Sequence, residues 1–417
     1  MDTDIFIDLI VFVATAGVII RPYKIQEAVW ATGGAVVLLV FGLISFHEAW
    51  MGIAKGLDVY LFLIGMMTLA ESARREGLFD WLASYAIRLS AGSPVRLFIL
   101  IYLIGILVTI FMSNDATAVV LTPAVAAAVA RAKVKNPLPY LLICAFIANA
   151  ASFVLPISNP ANLVIYGPDM PSLTAWLGTY LLPSVFSIIM TFLLLLFTQK
   201  KFLKVNLISD HEVQTLNTGG KMALAGILLT TLVLLVSSFE HWDLGLPTAM
   251  AGVSTAILIS LSGRKNPVAF MRDISWSVIP LVAGLFIMVE AIQKTGIIGV
   301  LSGKLVEEAN GSAGTTAWLA GTIVALGSNL INNLPAGLIA GTALSDIHLP
   351  EMVRSAILIG VDLGPNLSVT GSLATILWLK ELRRNGYHIS AWDFLKLGII
   401  IMIPALFAAL LALQIIN

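Results

Sequence analysis

The feature that most constrains this chain is the recurrence, from end to end, of apolar stretches as long as a bilayer is thick. They fall at 5–20, 28–46, 59–73, 94–112, 115–131, 138–155, 178–198, 222–239, 247–262, 277–293, 315–330, 334–345, 353–378 and 396–416. Lipid offers no partner to a bare backbone N–H or C=O, so a spanning segment must be a helix of about 20 mostly apolar residues. A water-soluble shell for so many such helices does not exist here, because only 12% of the 417 residues are charged, against about 25% in soluble domains. The expected fold class is therefore an all-α polytopic membrane protein. Ordinary soluble enzymes, nucleic-acid binders and disordered chains are excluded, and 24 basic against 24 acidic residues leave no net charge to steer the molecule onto a charged polymer. The single cysteine, Cys144, sits in an apolar run and reads as a small hydrophobe, and none of the histidines (47, 211, 241, 348, 388) falls in a span. Neither a metal centre nor a cofactor is expected.

Not every stretch is an independent crossing. The first carries Asp2, Asp4 and Asp8 where a signal peptide needs positive charge, so it reads as a retained span. Residues 94–131 and 315–345 read as re-entrant hairpins, with polar tips at Ser113-Asn114-Asp115 and Asn332-Asn333-Leu334-Pro335. Residues 138–167 and 353–378 read as helices broken near 156–162 and 364–366, which leaves about ten crossings, two hairpins and two broken helices. With both termini outside, twenty of the 24 Lys and Arg fall in cytoplasmic loops, Lys24, Arg264 and Lys265 among them, and only Lys55, Lys294, Lys304 and Arg354 fall outside. The expected location is a bacterial-type cytoplasmic (inner) membrane.

The chain also repeats itself. Gly65, Glu71 and Gly77 match Gly284, Glu290 and Gly296 at an offset of 219, Asn114-Asp115 matches Asn332-Asn333 at 218, and Asn162 and Gly167 match Asn366 and Gly371 at 204. The repeats are 1–198 and 222–417, joined by a polar, basic linker over 199–221. An odd number of crossings in each half inverts the second relative to the first, and inverted repeats with broken helices at the midplane are the recurrent build of secondary transporters.

Amides and carboxylates at membrane depth are costly and mark function by default. Four clusters stand out: Ser113, Asn114, Asp115 and Thr117; Ser158, Asn159 and Asn162; Ser328 and Asn329 with Asn332 and Asn333; and Asp362 with Asn366. At hairpin tips and helix breaks, free backbone groups and amides can together hold a small hydroxylated solute or an ion. The plainer alternative is that these residues only cap broken helices. Asp115 is the sharpest candidate: low dielectric penalises the charged form of a carboxylate, so it is suited to take up and release a proton. Its plainer role is to cap the helix over 116–131. Asp362 is a second proton-coupling candidate, while Glu71 and Glu290 read as interfacial or ion-paired.

The motifs then resemble a family. Met112-Ser113-Asn114-Asp115-Ala116-Thr117-Ala118-Val119-Val120-Leu121-Thr122-Pro123 resembles a signature of bacterial arsenite/antimonite efflux permeases. So do Gly65-Met66-Met67-Thr68-Leu69-Ala70-Glu71, Gly77-Leu78-Phe79-Asp80-Trp81, and the runs 155–164, 332–339 and 362–367, in conserved order from 60 to 380. The resemblance implies a member of the ion-transporter superfamily that expels the neutral trihydroxy acids of arsenic or antimony in exchange for protons. It implies a transport domain that moves against a scaffold, and in some members a cytoplasmic arsenite-stimulated ATPase as partner. It makes Asn114, Asp115, Thr117, Asn159, Asn162, Asn332, Asn333 and Asn366 substrate-site candidates and Asp115 the leading proton carrier. Sodium coupling, as in a sodium/proton antiporter of the same superfamily, suits the same carbonyls and amides. A glycerol-type channel shares Asn159-Pro160-Ala161, but its mate reads Gly364-Pro365-Asn366. An intramembrane aspartyl protease using Asp115 and Asp362 lacks the Gly-x-Gly-Asp pattern at 360–363.

Overall fold

A computed structural model of the protein describes residues 3–22, 25–205, 215–263, 271–345 and 347–417. Asp2, Lys24, His211, Arg264, Lys265 and the linker stretch 206–214 lie outside the described residues. Every regular element among the described residues is helical. The first half comprises α1 (Thr3–Ile20), α2 (Glu27–Val40), α3 (Phe46–Lys55), α4 (Leu57–Arg75), α5 (Leu78–Ser90), α6 (Pro94–Met112), α7 (114–131), α8 (Leu138–Ala150), α9 (Pro160–Tyr166) and α10 (Leu173–Gln199). The second comprises α11 (Thr218–Phe239), α12 (Gly245–Ser262), α13 (Val278–Lys294), α14 (Ile297–Gly311), α15 (Ala313–Ile331), α16 (Asn333–Ser345), α17 (Glu351–Leu363), α18 (Leu373–Arg384) and α19 (Ala391–Ile416).

Among the described residues six helices (α1, α6, α10, α11, α12 and α19) are long and apolar enough to cross a membrane alone, and two more spans qualify as bent pairs, α3 with α4 at 49° and α13 with α14 at 75°. The remaining expected crossings are the broken helices α8/α9 and α17/α18 and the short α2, whose 14 residues reach about 21 Å. The expected span 28–46 is thus corrected. Gly42 takes φ +66 just past α2, and Ser45 and Glu48 form a reciprocal capping box that starts α3 instead. The sequence reading did not anticipate α3, α5 and α14, each too short or too polar to register as a span.

The hairpins turn where the polar tips stand. Ser93 caps α6 with Pro94 behind it, and the chain reverses at Ser113, φ +125. Ser312 caps α15, and that hairpin reverses at Asn332, φ +74. A non-glycine residue in this region is uncommon and is held by its surroundings. Ser113 and Asn332 are separated by the same 219 positions as Gly77 and Gly296, whose φ values are +74 and +75. The broken helices follow another register: α8 and α9 begin at 138 and 160, α17 and α18 at 351 and 373, an offset of 213. This corrects the match of Asn162 to Asn366. By position in the break, Asn149 corresponds to Asp362 and Asn162 to Thr375, because the helix ends, not the identity of the amide, set equivalence.

Packing is crossed between the halves. α4 lies on α12 and α13 on α2, while α9 lies on α16 and α18 on α7. The first pair touches through backbone: a Cβ on Gly65 would meet the Thr248 carbonyl oxygen at 2.3 Å, and one on Gly252 would meet the Gly65 oxygen at 2.2 Å. Gly284, the mate of Gly65, would likewise drive a Cβ to 2.6 Å from the Ala31 carbonyl carbon. Backbone cannot rotate away, so Gly65→Val is expected to cost about 1–3 kcal/mol of stability by overpacking. A wild-type Tm for purified Gly65→Val would refute this. Helices α1 to α4 and α11 to α13 pack chiefly among themselves, as do α6 to α10 with α15 to α19, while α5 and α14 touch both groups.

Candidate functional site

The tip of the first hairpin opens into a cleft of about 80 Å³ lined by Ser113, Asp115, Ala116, Pro160, Met66, Met67, Glu71, Asp273 and Leu373, among others. The helix α7 begins at Asn114, so Asp115 lies in its first turn. Ser113 Oγ rather than Asp115 caps that turn, accepting the Ala116 N–H at 3.4 Å, and Asn114 Oδ1 accepts the N–H of Asp115 at 2.9 Å. The expected capping role therefore falls to Ser113, and among the described residues the Asp115 carboxylate takes no hydrogen bond or ion pair. Thr117 turns away from the cleft and shares a hydrogen bond of 2.8 Å with Thr109 of α6. A π turn over Thr117–Leu121 follows.

Behind the cleft, the two broken helices exchange side chains. Asp362, at the end of α17, accepts from Asn159 Nδ2 at 2.7 Å and stands 2.9 Å from Ser152 Oγ, both in the first break. Reciprocally, Asn149 at the end of α8 donates to Asn366 Oδ1 at 3.0 Å and to Thr375 Oγ1 at 3.3 Å, both of the second break and its following helix. Asn149, Ser152, Asp362 and Asn366 are each 0% exposed. Asn366 also donates to the Phe146 carbonyl at 2.8 Å. Asn162 donates to the carbonyls of Ser152, Leu155 and Pro156 at 3.0–3.4 Å, gathering the unwound backbone, while its Oδ1 is buried without a partner. Ser158 Oγ reaches the Ile110 carbonyl of α6 at 3.1 Å.

The second hairpin tip is tied to the second break. Asn329 Nδ2 donates to the Gly364 carbonyl at 3.0 Å, and the Asn333 N–H donates to the Gly371 carbonyl at 2.8 Å. Asn332 Nδ2 faces the Thr370 carbonyl at 3.4 Å. Asn332, Asn333 and Asn366 do not line the cleft that holds Asp115. The expected residues thus fall into three groups: Ser113 and Asp115 at the cleft, with Asn114 and Thr117 bracing the first tip; Asn159, Asn162, Ser158, Asp362 and Asn366 at the crossed breaks; Asn332 and Asn333 at the second tip. Asn149, Ser152 and Thr375 were missed, although an amide inside the apolar run 138–155 is the same signal that marked the others.

The other charged side chains that line the cleft are ion-paired. Glu71 pairs with Arg74 at 2.7 Å and Arg75 at 2.8 Å, and Arg75 with Asp273 at 2.6 Å. Its repeat mate Glu290 pairs with Lys55 at 2.6 Å, and Lys294 with Glu48 at 3.0 Å. Both glutamates are ion-paired, as expected. Among the described residues the buried polar side chains include no Lys, Arg or His.

Comparison with known proteins gives the context for this geometry. A family model described as citrate transporter (CitMHS) matches residues 10–360. An arsenical pump membrane protein of Escherichia coli is 27% identical over 97% of each chain, and an uncharacterized transporter of Mycobacterium tuberculosis is 26% identical over 94% of each. The crystal structure of the Alcanivorax borkumensis YdaH transporter, described as having an unusual topology, shares the fold, with a TM-score of 0.57 at 17% identity over 89% of this chain and 87% of that one. With the match spanning most of the chain and a multi-pass helical body built around hairpins and broken helices, the protein belongs to the citrate transporter (CitMHS) family of membrane transporters.

Proposed function

We propose that this transporter extrudes arsenite and antimonite, as neutral trihydroxy acids, from the cytoplasm in exchange for protons. The observation that carries the reading is an interior without a buried cationic side chain among the described residues, beside a cleft with one unpartnered carboxylate, Asp115. A citrate anion buried there would meet the Asp115 carboxylate and, among the described residues, no free cation, since Arg74 and Arg75 beside the cleft are already paired with Glu71 and Asp273, a heavy desolvation penalty. A neutral solute with three hydroxyls needs donors and acceptors only, and the Escherichia coli relative is named an arsenical pump. Asp115, with Ser113 beside it, accepts a hydroxyl of the cargo when ionised and relays the exchanged proton inward when the cargo leaves, so the two ligands compete. Asn332 and Asn333 are the equivalent tip for the opposite-facing state. In this reading 1–198 and 222–417 are inverted halves joined by 199–221, the group α6 to α10 with α15 to α19 moves against the other helices, and both termini lie outside the inner membrane. Where a cytoplasmic arsenite-stimulated ATPase is present, it adds drive to the same path.

The test is arsenite uptake by everted membrane vesicles with an acid interior. Accumulation above the outside concentration, abolished by a protonophore, is the expected result. Equilibration without accumulation would indicate a channel, and no arsenite entry would move the reading to sodium/proton exchange.

A further inference from the structure

We propose that the exchanged proton is stored on Asp362, behind the cargo cleft rather than in it, and that Ser152 translates its presence into the geometry of the break after α8. This deepens the proton-exchange reading and rests on it.

Ser152 Oγ lies 2.7 Å from the Asn149 carbonyl and 2.9 Å from Asp362 Oδ2, yet a hydroxyl has one hydrogen. With Asp362 protonated, every group is satisfied: the acid donates to Ser152 Oγ, Ser152 donates to the Asn149 carbonyl, and Asn159 Nδ2 donates to Asp362 Oδ1. With Asp362 ionised, Ser152 must turn its hydroxyl to the carboxylate, and the Asn149 carbonyl at the end of α8 loses the shorter of its two hydrogen bonds, keeping only the Ser152 backbone N–H at 3.3 Å. Loss of the proton therefore loosens the last turn before the break.

The equivalent junction supports the neutral form. Asn149 occupies in the first half the position that Asp362 occupies in the second, and an amide is the isostere of a protonated carboxylic acid. One junction is permanently neutral and the other can be charged. Among the described residues no cation is paired with that carboxylate: Arg354, on α17 itself, is turned to the Leu344 carbonyl at 3.3 Å and to the Tyr166 ring. The elements packed against α17 are α8, α9, α15, α16 and α19. Their titratable groups are Tyr140 and Cys144 on α8, Tyr166 on α9, and the exposed Asp393 and Lys396 on α19, with α15 and α16 contributing none. Tyr180 of α10 adjoins them, bonded to Tyr166, which in turn donates to Glu351 of α17 itself. Sodium is a poor occupant because Oδ1 already faces an N–H whose orientation is fixed, Asn159 Oδ1 being engaged by the Ala161 N–H at 3.1 Å. Access is short: Pro160 lines the cleft, so its neighbour Asn159 is the side chain between the cargo and the acid.

Infrared absorption of the purified protein, in the carbonyl-stretch region of a hydrogen-bonded carboxylic acid, tests this without any cargo. The band is expected in the wild type and in Asp115→Asn and absent from Asp362→Asn; a band that persists in Asp362→Asn, or vanishes only in Asp115→Asn, overturns the proposal. Should Asp362→Asn fail to fold, Ser152→Ala is expected to displace the band, and an unmoved band overturns it equally. In reconstituted vesicles, pH-driven arsenite accumulation by Asp362→Asn should fall at least about tenfold, the equivalent of 1.4 kcal/mol, with the residual exchange independent of pH. Undiminished accumulation contradicts the storage role. If wild-type vesicles carry no arsenite but the infrared pattern holds, the cargo reading fails and the proton site stands.

Discussion

Replacing Asp115 by Asn is expected to abolish uphill arsenite accumulation while leaving the protein as stable as the wild type. The carboxylate lines the cleft and takes no partner among the described residues, so its removal orphans nothing in the fold. Substitutions free of such ties usually stay within about 0.5 kcal/mol. A hydrogen bond from a cargo hydroxyl to a carboxylate is worth about 1.5–3 kcal/mol, so its loss weakens capture by about 10- to 150-fold. Loss of the ionisable group also removes the competition between proton and cargo. Uptake by everted vesicles, read beside the Tm of the purified variant, separates the two effects. Undiminished accumulation would remove Asp115 from the cycle, and a large fall in Tm would make it a structural residue.

Asn162→Ala should behave in the opposite way. Its two amide hydrogens are shared among the carbonyls of Ser152, Leu155 and Pro156 in the unwound segment 152–156, of which Leu155 also accepts the Ser158 N–H, at a position with 0% exposure. Each buried group left without a donor costs about 1–3 kcal/mol, so the variant is expected to lose at least that much and to fall steeply in Tm and in membrane yield, with cargo or without. Were Asn162→Ala stable but unable to bind cargo, the residue would return to the substrate site, through its unpartnered Oδ1. The contrast between these variants divides the polar residues into those facing the cleft and those holding the breaks open.

The parts legible in the sequence are those in which one residue type does one job. Ser113 and Asn332 mark the hairpin reversals because a short polar side chain can tolerate positive φ and cap the next turn. The breaks near Pro156 and Gly364 were visible because proline or glycine stands there together with polar side chains, whereas Pro183 and Pro404, in mostly apolar runs, leave α10 and α19 continuous. What escaped was relational. Asn149, Ser152 and Thr375 gain their role only from partners in the other half, more than 200 positions away. The match of Asn162 to Asn366 followed residue identity, whereas the fold equates positions by helix ends. The helices α3, α5 and α14 are too short or too polar to stand out as crossings, although the capping box at Ser45 and Glu48 announces the first of them.

The crossed glycine contacts bear on how the protein is made. Gly65 of α4 has its backbone partner in Thr248 of α12, and Gly284 of α13 has its own in Ala31. During synthesis α4 enters the lipid and must wait, its bare backbone stripe unmatched, until the linker and α11 have been made and α12 arrives. Neither half can mature alone, so two separately expressed halves should be degraded singly and rescued only when produced together. Interlocking of this kind makes the two ends of one synthesis wait on each other, and the protein matures only as a whole.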